Sequence, residues 1–124
     1  MDESLIAVRL EPLLDFHPTI IYIRLLAPDG TALASVVKKS KSALEPPGQT
    51  SLILSRLAIA GGMTSGTENF YGKASAIIII RERLTELLFL LTRRMVLVGA
   101  EVDYPMAKTE ELAKQVKRMQ VDEW

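Results

Sequence analysis

The sequence predicts an α/β fold, helices packed on a sheet, in the order helix, strand, strand, helix, strand, strand, strand, helix. Three observations predict it. Residues 19–37 read as two strand-like runs, the first rich in Ile and Tyr, joined by a Pro-Asp-Gly turn. Residues 49–62 are a helix-length run that is apolar on nearly every side. Three short apolar runs then follow between residues 74 and 102, joined by short links. At 124 residues the chain is read as one domain spanning 1–124. A chain of this length buries roughly two-thirds of its unfolded surface and needs no metal or disulfide to hold it.

Within residues 2–17, Ser4 to Leu10 fits either a strand or the first turns of a helix. Pro12 biases Glu11 away from helical dihedrals. Either a short helix ends near Leu10 or a new turn starts at Pro12; helix is the reading adopted. Thr19 to Ala27 and Thr31 to Val37 form the hairpin, with Pro28-Asp29-Gly30 supplying the turn chemistry. Ile21, Ile23 and Leu25 are expected on one face of the first strand, and Ile20, Tyr22, Arg24 and Leu26 on the other. Both faces are mostly apolar, so layers should cover both sides.

Residues 38–48 read as a polar loop carrying Lys38, Lys39 and Lys41 and ending in Pro-Pro-Gly. It is either a solvated connector or a mobile basic contact for an acidic partner. In the helix over 49–62, Thr50 or Ser51 is placed to cap the start, and Gly61-Gly62 to end it. Ile53, Leu54, Leu57, Ala58 and Ala60 make a broad stripe that should face the sheet. Leu52, Ser55 and Ile59 make a second, narrower stripe, with Arg56 at its margin. A helix in a small domain normally keeps one wet face, so the second stripe calls for a further burial partner.

Met63 to Lys73 reads as a loop. Ala74 to Ile80 contains four successive isoleucines and is expected to be buried on both faces. If it lies at an edge instead, pairing with another subunit would remove an aggregation hazard. Thr85 to Leu91 and Met95 to Val102 are the next strands. The last helix starts between Pro105 and Thr109, with Leu112, Val116 and Met119 as its apolar seam.

Composition excludes several classes. No cysteine is present, so disulfide and thiolate chemistry are ruled out. Fifteen basic side chains balance fifteen acidic ones, which gives no general attraction to nucleic acid or anionic lipid. The start, MDESLIAVRL, is acidic rather than basic, unlike a secretory signal. The longest apolar stretch, Leu87 to Ala100, is cut by Arg93 and Arg94 and is too short to span a membrane. A soluble, cytoplasmic protein is expected. His17 is the sole histidine, which leaves no ligand set for zinc. Glu101 and Asp103 share strand parity and form a candidate carboxylate pair, but a strand tip entering solvent explains them equally well. Glu110-Glu111 suits a helix N-terminus. The stretch GGMTSGTENFYG at 61–72 lacks a phosphate-loop pattern and follows a helix rather than a strand. No GxSxG elbow is present. The expectation is no enzyme, no cofactor and no metal. Arg81 and Arg83 lie in one strand link and Arg93 and Arg94 in another, at opposite ends of the strand meander. Trp124 either docks a partner or folds back onto the last helix.

The hairpin IIYIRLLAPDGTALASVV at 20–37, the helix SLILSRLAIAGG at 51–62, the strands from Ala74 to Val102 and the closing helix at 107–120 together resemble the Roadblock family of dynein light-chain and GTPase-regulator domains. The resemblance covers nearly the whole chain. It implies an α/β/α sandwich on a five-stranded antiparallel sheet. It also implies homodimerisation through the second helix and the following strand, which by position falls on Leu52, Ser55, Ile59, Ile77 and Ile79. Pro12 and the longer, more basic loop at 38–48 depart from the family pattern. The implied role is a non-catalytic scaffold, homodimeric or higher, for a small GTPase or a motor or cytoskeletal assembly. Lys38, Lys39, Lys41 and Trp124 are the candidate partner contacts. An accessory protein of a prokaryotic actin-like filament is one alternative. A small-ligand sensor is another, which would need polar groups converging in a pocket between sheet and helix; the sequence there offers mainly Ile, Leu and Ala.

Overall fold

The computed structural model describes residues 2–41, 49–64 and 67–124. Helix α1 (Glu3–Leu14) leads into strands β1 (Ile20–Leu26) and β2 (Ala32–Val37). Helix α2 (Thr50–Gly62), a short helix α3 (Glu68–Tyr71), strands β3 (Ala76–Ile80), β4 (Thr85–Leu90) and β5 (Met95–Ala100), and helix α4 (Thr109–Arg118) complete the order. The five strands form one sheet in the order β2-β1-β5-β4-β3, and every neighbouring pair is antiparallel. Residues of α1 and α4 share one core with Ile23, Leu25, Leu87, Val96 and Val98 of the sheet. Leu54 and Leu57 of α2 share the other with Tyr22, Leu26, Leu88 and Leu97. This is the expected α/β/α sandwich. No helix among the described residues is long and apolar enough to cross a membrane.

Helix α1 does not stop at Leu10; it runs through Pro12 to Leu14. Asp2 caps its start, its carboxylate accepting the Leu5 N–H at 3.0 Å. Pro12 sits in the last turn, where its missing N–H costs one bond to the carbonyl of Val8, an exposed residue within reach of water. Burial of Leu13 and Leu14 outweighs that loss.

The two faces of β1 also differ from simple alternation. Ile20 pairs with Ala100 and Tyr22 with Gly99, so Ile21 is the extra residue of a β-bulge. The bulge puts Ile20 in the core under α1 and both Ile21 and Tyr22 in the core under α2. Gly99 makes room for the Tyr22 ring opposite it.

At the hairpin tip the Thr31 N–H donates to the Asp29 carboxylate at 2.9 Å. That bond holds the Asp29 carboxyl below its ordinary pKa. Gly30 has a φ of 91°, and a Cβ there would lie 2.6 Å from the Leu54 carbonyl oxygen of α2. The turn thus seats directly on the α2 backbone and helps to place that helix. Gly30→Ala should therefore lower stability by about 2 kcal/mol, combining backbone strain with a clash against main chain, as thermal denaturation would measure.

Two expectations for α2 are corrected. Gln49, not Thr50 or Ser51, occupies the N-cap position and makes no side-chain cap bond. Gly61 and Gly62 lie inside the helix, which ends at Met63 with ordinary right-handed dihedrals. Gly61 serves packing instead: a Cβ there would meet Leu90 and Met95 side chains at 3.3 Å. Within the stretch expected as loop, Glu68–Tyr71 forms one helical turn, ended by Gly72 with a φ of 78°.

The isoleucine strand is corrected most. β3 is not buried on both faces; it is an edge of the sheet, paired only with β4. Ile77 and Ile79 are half-buried on the α2 side, while Ile78 and Ile80 are 41% and 71% exposed on the other. A run of isoleucines reports hydrophobicity but not position in the strand order, which is set by non-local pairing.

Candidate association surface

The outer stripe of α2 is wet in the protomer. Leu54 and Leu57 are buried and Ile53, Ala58 and Ala60 half-buried, as their stripe requires. Leu52 is 48% exposed, Ile59 is 66% exposed, and Ser55 between them is exposed and donates its hydroxyl to the Ser51 carbonyl at 2.9 Å. Met63 extends the apolar line at the helix end, and Phe70 and Tyr71 of α3 are also exposed. On the same side of the sheet, half-buried Ile77 and Ile79 border the open edge of β3, which presents one row of unpaired backbone groups. The structure thus brings Leu52, Ser55 and Ile59 onto one helix face, and Ile77 and Ile79 onto the sheet face beneath that helix.

The other candidate contacts are placed differently. The Lys38 amine donates to the carbonyls of His17 and Pro18 at 3.1 and 3.2 Å. Lys41 donates to the Pro18 carbonyl at 2.8 Å and forms an ion pair with Glu101. These lysines fasten the end of β2 to the α1–β1 connection and are not a mobile contact. Burial, then Lys41, pulls the Lys38 amine below the ordinary lysine pKa, and Asp15 acts the other way. Lys39 is exposed. The rest of the expected loop, 42–48, lies outside the described residues. His17 belongs to the same structural group: its Nδ1 lies 2.8 Å from the Thr19 hydroxyl, and Tyr104 meets its ring edge-on at 5.9 Å. Glu101 is engaged by Lys41 instead of pairing with Asp103.

Trp124 folds back. It is half-buried against the core under α1 and α4, with the Arg9 guanidinium 5.7 Å from its ring centroid. Asp122 secures this segment by accepting the Thr92 and Arg93 N–H groups of the β4–β5 link at 3.1 and 2.8 Å.

One feature escaped sequence reasoning. A cleft of about 480 Å³ opens between α2 and the β3–β4 hairpin. Ile53, Leu57, Ala60, Ile79 and Leu84 supply its apolar lining, and Tyr22, Arg56, Arg81, Arg83 and Glu86 its polar groups. Glu86 is 3% exposed and forms an ion pair with Arg81. Arg24, also buried, stacks its guanidinium 4.2 Å from the centre of the Tyr22 ring. Arg56 comes from α2 and Arg81 and Arg83 from the β3–β4 link, so no sequence spacing announces their meeting. Arg93 and Arg94 line a different cavity, in keeping with opposite ends of the meander. Among the described residues no group of three His, Cys, Asp or Glu could hold a metal ion.

Solved structures share this architecture over nearly the whole chain. MglB from Myxococcus xanthus superposes with a TM-score of 0.75 at 10% identity, over 98% of this chain and 96% of that one. An MglB with a tetrameric arrangement gives 0.73 at 16% identity, over 97% and 90%. The Roadblock/LC7 domain from Streptomyces avermitilis gives 0.67 at 11% identity, over 93% and 97%. The chain has the Roadblock/LC7 fold. No family model matches the sequence, and no curated protein matches it. Identities this low establish the Roadblock-type fold alone, and function has to be argued from the surface.

Proposed function

We propose that this chain is a non-catalytic scaffold that associates with a second copy of itself through α2 and β3 and regulates a small GTPase or a motor or cytoskeletal assembly. One observation carries the reading: the exposed Leu52 and Ile59 stripe lies on the same side of the sheet as the half-buried Ile77 and Ile79 at the open β3 edge. Two copies joined along β3 would pair the free backbone groups and cover both α2 stripes in one step. The arrangement is isologous, so it closes at two unless another surface joins in. In such a scaffold the domain acts by positioning its partner, contributing few or no groups to chemistry.

The partner class rests on the resemblance to GTPase-regulator domains and on the fold shared with MglB. The test is direct. Small GTPases from the same organism, purified and mixed with the chain, should show an altered rate of GTP hydrolysis or nucleotide exchange with one of them. Unchanged rates with all of them would leave the scaffold without its GTPase role. The ligand-sensor reading gains one specific observation, the polar groups that converge in the cleft beside α2.

A further inference from the structure

We propose that the cleft between α2 and the β3–β4 hairpin binds a small phosphorylated molecule, its phosphate held by Arg56, Arg81 and Arg83 and its body resting on the apolar lining. The size suits this: about 480 Å³ lies within the range of small-molecule sites. So does the lining, in which five aliphatic residues stand beside five polar ones, a mixture that can seat an apolar body and fix a charged end.

Charge decides the class of ligand. Three arginines line the cleft against a single acidic residue, Glu86, on a chain whose formal charge is zero. Glu86 is spent on Arg81, which it holds in place from a buried position. Arg56 and Arg83 have no ion-pair partner among the described residues, and both are exposed. Glu82 lies in the same turn but does not line the cleft. Guanidinium groups are planar forks that grip phosphate oxygens in pairs, and a dianion offers charge enough for more than one of them.

This site does not require self-association, although Ile79 belongs to both surfaces. Phenyl phosphate is the probe, with inorganic phosphate and phenol as the separate parts of its chemistry. Titration is followed by backbone amide NMR at a protein concentration where sedimentation has fixed the association state. Saturable shifts should centre on residues 53–60 and 79–86, with phenyl phosphate binding more tightly than either part. The double variant Arg56→Gln, Arg83→Gln should weaken binding by about tenfold or more, since it removes two charge-assisted contacts. Arg93→Gln with Arg94→Gln should leave it unchanged. Arg81 is avoided, because removing it strands the buried Glu86. Shifts that never saturate, an equal loss in both double variants, or inorganic phosphate binding as tightly as phenyl phosphate would each overturn the proposal. Because binding is read directly, a monomeric wild type would refute the pairing of copies without touching this result.

Discussion

Leu52→Asp combined with Ile59→Asp should turn a self-associated wild type into a folded monomer. Both side chains are about half exposed or more in the protomer, so they contribute little to its own core. Their substitution should change protomer stability by no more than about 0.5 kcal/mol. Association is a different matter. Fully burying an aliphatic side chain of this size gains roughly 1.5–3 kcal/mol, and an aspartate in its place adds a desolvation cost. Two such changes on each copy should weaken pairing by at least about 4 kcal/mol, on the order of a thousandfold in dissociation constant. Sedimentation equilibrium measures the pairing, and a thermal melt at low concentration checks the fold. A wild type that stays monomeric at high concentration, or a variant that still pairs, would defeat the interface. Ile77 and Ile79 make poorer probes, because each also packs against the α2 core.

Gly99→Ala should be among the most damaging single changes to the fold. A Cβ at Gly99 would lie 2.3 Å from two carbons of the Tyr22 ring and 2.8 Å from a third, far inside contact distance. The ring has little room to retreat. It is 2% exposed, and the Arg24 guanidinium covers it 4.2 Å from its centre. Overpacking of this kind costs typically 1–3 kcal/mol, and the rigid surroundings place this site at about 3 kcal/mol. For a chain of this size that is a melting temperature lower by ~10 °C. Tyr22→Leu should recover much of the loss in the Gly99→Ala background while costing stability on its own, the sign of a direct clash in a double-mutant cycle. A melting point for Gly99→Ala within about 1 °C of wild type would show that the ring is freer than the packing implies.

Both predictions depend on how far local pattern reaches. The hairpin was legible because Pro28, Asp29 and Gly30 dictate their own turn and the run before them is rich in strand-forming Ile and Tyr. The two stripes of α2 were legible because helical periodicity alone separates Leu54 and Leu57 from Leu52 and Ile59. Pattern failed wherever burial or pairing came from elsewhere in the chain. Pro12 looked like a boundary until Leu13 and Leu14 found a core. Ile21 changed sides because of a bulge that no local signal marks. Lys38 and Lys41 looked free until their amines met carbonyls of the α1–β1 connection.

From the chain alone came the α/β class, the element order and a central helix with two greasy sides, because turn chemistry and periodicity act over a few residues. The tertiary structure alone decided that the isoleucine strand is an edge, that Trp124 is tucked in, and that Arg56, Arg81 and Arg83 share a cleft. Strand order and the meeting of distant side chains are settled by which surfaces pack together, and no short window of sequence contains that information.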